Sequence, residues 1–216
     1  MVDSKVICLI SGGIDSPVAA YIMIEKGMTP VALYIDCHPY TTPETKTAAI
    51  NVIRLLSTYT NDKKIKTYII PHRDNLKAIL TQIPPKLTCV FCKRTMYAIA
   101  ARIAKKEDAL AIVTGEILGE QASQTTQNLY AINQAVKTPI LRPLIGFDKE
   151  EVTRIGRRIG TLQASISQPQ RCTAVPEKPE THAQFQEVLK LGNTIDLEST
   201  INKAISQATI ISIQGD

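Results

Sequence analysis

Apolar and polar positions alternate in blocks along this chain. Val6-Ile7-Cys8-Leu9-Ile10 is a continuous apolar run that ends near Gly12-Gly13. Such a run predicts a central strand covered on both faces. Residues 18–26 predict a helix, with Ser16 as its cap, Pro17 near its first turn and Gly27 ending it. Further apolar runs predict strands at 31–35, 65–70, 110–114 and 138–141. Helical patterns fall at 45–57, 92–105 and 149–159. Strands and helices alternate throughout, which predicts an α/β fold: a parallel five-stranded sheet with helices on both faces.

The pattern changes towards the end. Pro169, Pro176 and Pro179 punctuate an irregular stretch, and helical patterns follow at 185–191 and 197–208. The expected organisation is a catalytic domain over 1–175 and a helical tail over 176–216. The tail either packs on the core or extends to a partner.

Composition narrows the class. With 216 residues and 44% hydrophobic content, the chain can bury a core without disulfide staples. There is no Trp and aromatic content is 5%, so that core must be aliphatic. No apolar run approaches the ~20 residues of a membrane helix, and residues 1–5 lack a signal-peptide layout. A cytoplasmic protein without membrane contact is expected. A net charge of +5 permits contact with RNA phosphates but does not demand it. Five cysteines in such a chain point to metal or redox chemistry rather than to a disulfide framework.

Ser11-Gly12-Gly13-Ile14-Asp15-Ser16 lies between the first strand and the first helix, where ligands gather in open α/β sheets. Gly12 and Gly13 let the backbone approach phosphate oxygens. Amides at the helix start point at an anion, and Ser11 and Ser16 can donate hydroxyl hydrogen bonds. Asp15 repels phosphate unless Mg2+ bridges the two. A Gly-Gly turn is common by itself; the whole string in this setting is more specific. It is neither a Walker loop nor the dinucleotide fingerprint.

The string resembles the signature of the PP-loop ATP pyrophosphatases, which cleave ATP between the α and β phosphates and adenylate a carbonyl-type oxygen. Further blocks, in order, resemble the tRNA 4-thiouridine synthetase branch: Cys89 to Met96, Thr114 to Gly119, Ala122 to Thr125, Leu141 to Glu150, and Cys172 to Pro176. The resemblance implies an ATP site lined by Leu9, Ile10, Tyr34, Ile35, Arg94, Gly115 and Gln124 together with the loop. Arg94 offers a planar fork to phosphate. It also implies a catalytic role for Lys149, as a stabiliser of charge on pyrophosphate or on the adenylated intermediate. Glu120 departs from the family pattern, which often has Gln there, and adds negative charge near the phosphates.

Among the cysteines, Cys8 reads as strand core, and Cys37 with His38 as incidental. Cys89 and Cys92 alone read equally as packing, a redox pair or ligands. Cys172 follows Arg171 in a Pro-flanked stretch, where exposure and a lowered thiol pKa are expected. In the family a cysteine here carries the sulfur chemistry, and members with the extra Cys-x-x-Cys resemble a subgroup holding a [4Fe–4S] cluster on three cysteines. Cys89, Cys92 and Cys172 are the implied ligands, with an open iron for sulfide. The alternative is a persulfide on Cys172 resolved by Cys89 or Cys92. His72 and His182 read as surface or capping residues.

The chain starts at its first strand, without the N-terminal RNA-binding region or the C-terminal rhodanese domain of full-length members. The lack of a rhodanese domain favours a cluster-and-sulfide route over a persulfide relay. It leaves a separate RNA-binding subunit, a sulfide or persulfide donor and a second copy of the chain as open partners. The implied reaction is adenylation of a uridine carbonyl oxygen in tRNA, then sulfur insertion to give 4-thiouridine. Two alternatives stand beside it: the same chemistry on another RNA base or a small molecule, and a non-catalytic nucleotide-binding module.

Overall fold

The computed structural model describes residues 4–165 and 172–215. The expectations placed on Pro169 and Arg171 lie outside the described residues. The sheet has six strands, one more than the pattern predicted, in the order β5-β4-β1-β2-β3-β6. These are β1 (Lys5–Leu9), β2 (Thr29–Asp36), β3 (Lys64–Pro71), β4 (Ala111–Val113), β5 (Ile140–Leu141) and β6 (Thr209–Gln214). β1, β2, β3, β4 and β5 run parallel; β6 joins β3 antiparallel, with Ile65 opposite Ile213.

The apolar runs are strands because both faces are covered. Val6, Cys8, Ala32, Tyr34, Ile65, Ile69 and Val113 face a layer made by α1 (Asp15–Glu25), α2 (Pro43–Ser57) and the neighbouring α6 (Lys149–Arg158). Ile7, Val31, Leu33, Ile35, Tyr68, Ile70 and Ile112 face the opposite layer, which holds α3 (Arg73–Gln82) and α4 (Thr88–Glu107). Successive strand residues therefore serve opposite cores, as the pleat requires.

Besides the short α7 (Thr161–Ala164) described below, three elements escaped the periodicity. α3 is mostly polar and is anchored by Leu76 and Ile79, one turn apart. α5 (Thr126–Asn133) is rich in Gln and Asn. It is held by buried Leu129 and Ile132 and by Thr125, whose side chain accepts from the Asn128 amide. β6 follows a helix that ends earlier than expected. The tail holds α8 (Phe185–Gly192) and α9 (Leu197–Ser206), and it packs back on the core. α9 lies against α3 and α4, and Ile201 and Ala204 enter the second core. A short α7 (Thr161–Ala164) completes the first layer. Among the described residues no helix is long and apolar enough to cross a membrane.

Helix starts also differ from expectation in two informative places. α4 begins at Thr88, so Cys89 and Cys92 sit one turn apart at its N-terminal end. α1 begins at Asp15, and Ser16 lies inside its first turn rather than capping it.

Candidate active site

The carboxyl ends of β1, β2 and β4 open on a cavity of about 420 Å³. Its first end is the loop after β1. The Ser11 amide donates to Ser16 Oγ at 2.8 Å, the two hydroxyls lie 3.0 Å apart, and the Gly13 amide donates to Ser11 Oγ at 3.2 Å. The serines thus shape the loop before any ligand arrives. Gly12 has a steric reason of its own: a Cβ there would lie 2.7 Å from the Thr45 carbonyl oxygen on α2. Gly115 is tighter still, since a Cβ would lie 2.6 Å from the Ser16 amide nitrogen. The loop after β4 is therefore pressed onto the start of α1.

Of the expected nucleotide residues, Leu9, Ile10, Ser11, Asp15, Ser16, Tyr34, Ile35, Gly115 and Gln124 line this cavity. Gly12 and Gly13 stand behind the lining as part of the loop. Arg94 does not reach it. Its guanidinium donates to the Ala131 carbonyl on α5, so the fork is turned towards the protein rather than the cavity. Lys93 supplies a cation instead, and it lines the cavity.

Lys93 is held by a buried charge network that sequence reasoning missed. Glu116, 4% exposed, accepts from Lys93 Nζ at 2.9 Å, Arg142 Nε at 2.6 Å, Tyr97 Oη at 2.7 Å and Thr114 Oγ1 at 3.1 Å. Burial opposes the carboxylate charge, but the Lys93 and Arg142 cations outweigh it and bring Glu116 down to about 2. The Arg142 guanidinium also donates to Asn133 Oδ1 at 2.6 Å.

Lys149 is the first residue of α6, fixed by a capping box between Asp148 and Glu151. Gly156 of the same helix packs near Val18 and Ile14 of the α1 region, which brings Lys149 to the phosphate loop. Its ammonium donates to Asp15 Oδ1 at 2.7 Å and lies 2.6 Å from Glu120 Oε1. The extra charge at Glu120 thus has a partner. Burial raises the Asp15 pKa, Lys149 pulls it back and Glu120 adds to the rise. For Lys149, burial disfavours the charge, yet the two carboxylates outweigh it and the pKa rises.

The other end of the cavity carries thiols. Cys37, Cys89, Cys92 and Cys172 all line it, and all five cysteines are free. Cys37 stands just beyond β2 and lines the same space. Cys172 is half-buried rather than exposed, and burial raises its pKa despite a hydrogen bond from the Ala174 amide. Burial likewise raises Cys89, lifts Cys92 well up and brings Cys37 to about 12. Cys8 is strand core, as expected, and burial brings it also to about 12. His72 corrects the surface reading: it is fully buried, burial lowers it to about 4, and its Nε2 lies 3.4 Å from Cys92 Sγ. His182 is exposed and pairs with the Thr181 hydroxyl at 3.0 Å. Among the described residues no group of three or more His, Cys, Asp or Glu is placed to hold a metal ion.

A phosphate-type loop at one end and four thiols at the other is a combination that comparison with known proteins can test. The family model described as thiamine biosynthesis protein (ThiI) matches residues 1–197. The chain belongs to the ThiI family. A "Probable tRNA sulfurtransferase" of Methanosarcina mazei is 39% identical over 209 residues, covering 97% of this chain and 52% of the relative. One of Methanobrevibacter smithii is 40% identical over 200 residues, covering 93% and 52%. The chain thus spans about half the length of the curated relatives it matches. A crystal structure of a 4-thiouridine synthetase–RNA complex with bound ATP superposes with a TM-score of 0.93 at 29% identity, over 98% of this chain and 55% of that one. An NMN synthetase of Francisella tularensis, at a TM-score of 0.60 and 18% identity, shares the fold.

Proposed function

We propose that this ThiI-family chain is the catalytic part of an ATP-dependent tRNA sulfurtransferase that makes 4-thiouridine. The observation that carries the reading is the single cavity with a phosphate loop at one end and cysteines at the other. Relatives bear the name tRNA sulfurtransferase, and a structural neighbour binds ATP and RNA.

ATP would place its phosphates at the amides that begin α1. Its adenine would lie among Leu9, Ile10, Tyr34, Ile35 and Gln124, whose buried Oε1 has no partner among the described residues. Asp15 would hold Mg2+, which supplies charge neutralisation at the phosphates. Asp15 lines the cavity at the helix start, and its side chain is 19% exposed, so its carboxylate is suited to that task. The uridine O4 attacks the α-phosphorus, the O4–P bond forms, and the bond to pyrophosphate breaks. Lys149 stabilises the charge on the departing pyrophosphate, exchanging its carboxylate contacts for phosphate ones. A sulfur nucleophile then attacks C4, and AMP leaves with the former O4.

Cys172 is the proposed sulfur-handling residue. Cys89, Cys92 and Cys172 are the residues that would hold an iron–sulfur cluster, which would supply an open iron for sulfide. The three thiols are the donor type such a cluster takes, but among the described residues they are not placed as a ready ligand triad. Their shared cavity equally fits a persulfide on Cys172, formed when its thiolate takes the outer sulfur from an external persulfide donor and releases that donor's thiol. The outer sulfur on Cys172 attacks C4; the Cys89 or Cys92 thiolate then displaces the thiolated base from Cys172 Sγ, leaving a disulfide for an external dithiol to reduce. Anaerobic reconstitution with iron and sulfide, read by visible absorption, separates the two.

The test of function is incubation with ATP, Mg2+, sulfide and an unmodified tRNA transcript, with pyrophosphate and thiolated nucleosides measured. Pyrophosphate release that depends on RNA, with 4-thiouridine in the digest, is the expected result. Absence of both from the active full-length protein would sink the reading.

A further inference from the structure

Thr88 is the first residue of α4 and is 2% exposed. Its hydroxyl is buried and has no hydrogen-bond partner among the described residues. It does not serve as a helix cap, because the cap position is Leu87. A buried polar group left unpaired is costly, whereas valine would fill nearly the same shape without that cost. The position therefore asks for a partner that the described residues do not provide.

The cavity indicates where that partner belongs. Thr88 lines it, as do Thr41 and Gln124, the other two lining residues with an orphaned buried polar atom. Of the three, only Thr88 stands on the helix that carries thiols. It lies next to Cys89 and one turn before Cys92, on the same helix face as Cys92. Thr88 thus belongs to the helix that carries the thiols, not to the loop after β1.

Resting on the sulfurtransferase reading above, we propose that Thr88 Oγ1 binds the N3–O4 edge of the pyrimidine base that is to be thiolated. The carbon that receives sulfur must lie within reach of both the α-phosphorus and the thiols, so the base occupies the junction between the two ends. The hydrogen-bonding character of that edge changes during the reaction. Before activation N3 carries a hydrogen and donates. When O4 bonds to the α-phosphorus and pyrophosphate leaves, the N3 proton passes to solvent and N3 becomes an acceptor. When sulfur attacks C4 and AMP departs, N3 takes up a proton and donates again. A hydroxyl has one hydrogen and two lone pairs, so it can follow both changes by rotation. An ammonium, a guanidinium or a carboxylate could serve only one of the two states. Threonine is thus the type of side chain the sequence of states requires.

The experiment compares full-chain wild type with Thr88→Val, Thr88→Ser and Thr88→Ala. Three quantities are read: thermal midpoint without ligand, ATP affinity without RNA, and kcat/KM for pyrophosphate release against an unmodified tRNA transcript. Thr88→Val is expected to melt at or above the wild-type temperature and to bind ATP within twofold of wild type. Its kcat/KM for RNA-dependent pyrophosphate release should fall about 10- to 100-fold, and Thr88→Ser should return to within about threefold of wild type. A Thr88→Val protein as active as wild type overturns the assignment while leaving the sulfurtransferase reading intact. So does a tenfold loss of ATP affinity without RNA, which would make Thr88 a nucleotide contact. Should Thr88→Val fail to fold, Thr88→Ala against Thr88→Ser decides by the same readouts. Wild type that releases no pyrophosphate with RNA overturns the sulfurtransferase reading, and this assignment with it.

Discussion

Replacing Glu116 by Gln removes one negative charge from a pocket in which two cations depend on it. The carboxylate is 4% exposed, and its partners Arg142 and Lys93 have side chains only 11% and 22% exposed. Their attraction brings the Glu116 pKa from 4.5 to about 2. At ~1.36 kcal/mol per pH unit this corresponds to about 3 kcal/mol of stability. Breaking a buried pair by removing one partner costs a similar ~3–5 kcal/mol. For a chain of this length the midpoint should fall by about 6–12 °C at pH 7. The sign with pH follows from a depressed folded-state value. The stabilisation is fully present above pH 4.5 and is lost as pH falls towards 2. Urea denaturation of wild type and Glu116→Gln at pH 7, 5, 4 and 3 tests this. The gap should be full at pH 7 and 5 and shrink at 4 and 3. A gap under 1 kcal/mol at pH 7, or one that stays constant down to pH 3, would refute the reasoning. Glu116 would then be a bystander, and Lys93 would owe its place to something else.

The remaining predictions concern the loop and the two reactive ends. Gly12→Ala places a methyl against the Thr45 carbonyl and near Ala48, so α2 must move; a loss of about 1–3 kcal/mol in urea denaturation is expected, with weaker ATP binding. Lys149→Ala should slow RNA-dependent pyrophosphate release about 10²–10³-fold in a quench assay; normal release would remove Lys149 from the mechanism. Cys172→Ser should keep pyrophosphate release yet yield no thiolated nucleoside by mass spectrometry, and a normal thionucleoside yield would exclude Cys172 as the sulfur-handling residue.

The fold was legible where burial was complete. The runs around Ile7, Leu33, Ile70 and Ile112 read as strands because both of their faces are covered and few polar residues interrupt them. α3, α5 and β6 were missed because each rests on two or three apolar anchors in a polar background, a pattern that loops also produce. In the site, the residues of the contiguous loop were recognisable by their order alone. Gly12 reads as phosphate access and Gly115, after β4, as part of the ATP-site lining, yet both are also demanded by backbone that passes close to them.

What could not be read is what distance in sequence conceals. Glu120 reads in the sequence as an unpaired charge, whereas in the fold Lys149 pairs with both it and Asp15, which lie 29 and 134 residues away respectively. Arg94 and Lys93 adjoin in the chain, and only the helix decides which of them turns to the cavity. α4 turns Arg94 to Ala131 and Lys93 to Glu116, so the cation next to the thiols is the one no motif singled out. The same helix sets Thr88, Cys89 and Cys92 within its first turns. Starting α4 four residues earlier than the apolar pattern suggests places a hydroxyl, two thiols and an ammonium on one rigid element. On the proposed sulfurtransferase reading, a base at the junction would meet the thiols of this helix in fixed register, while the loop before α1 would present ATP to the same cavity.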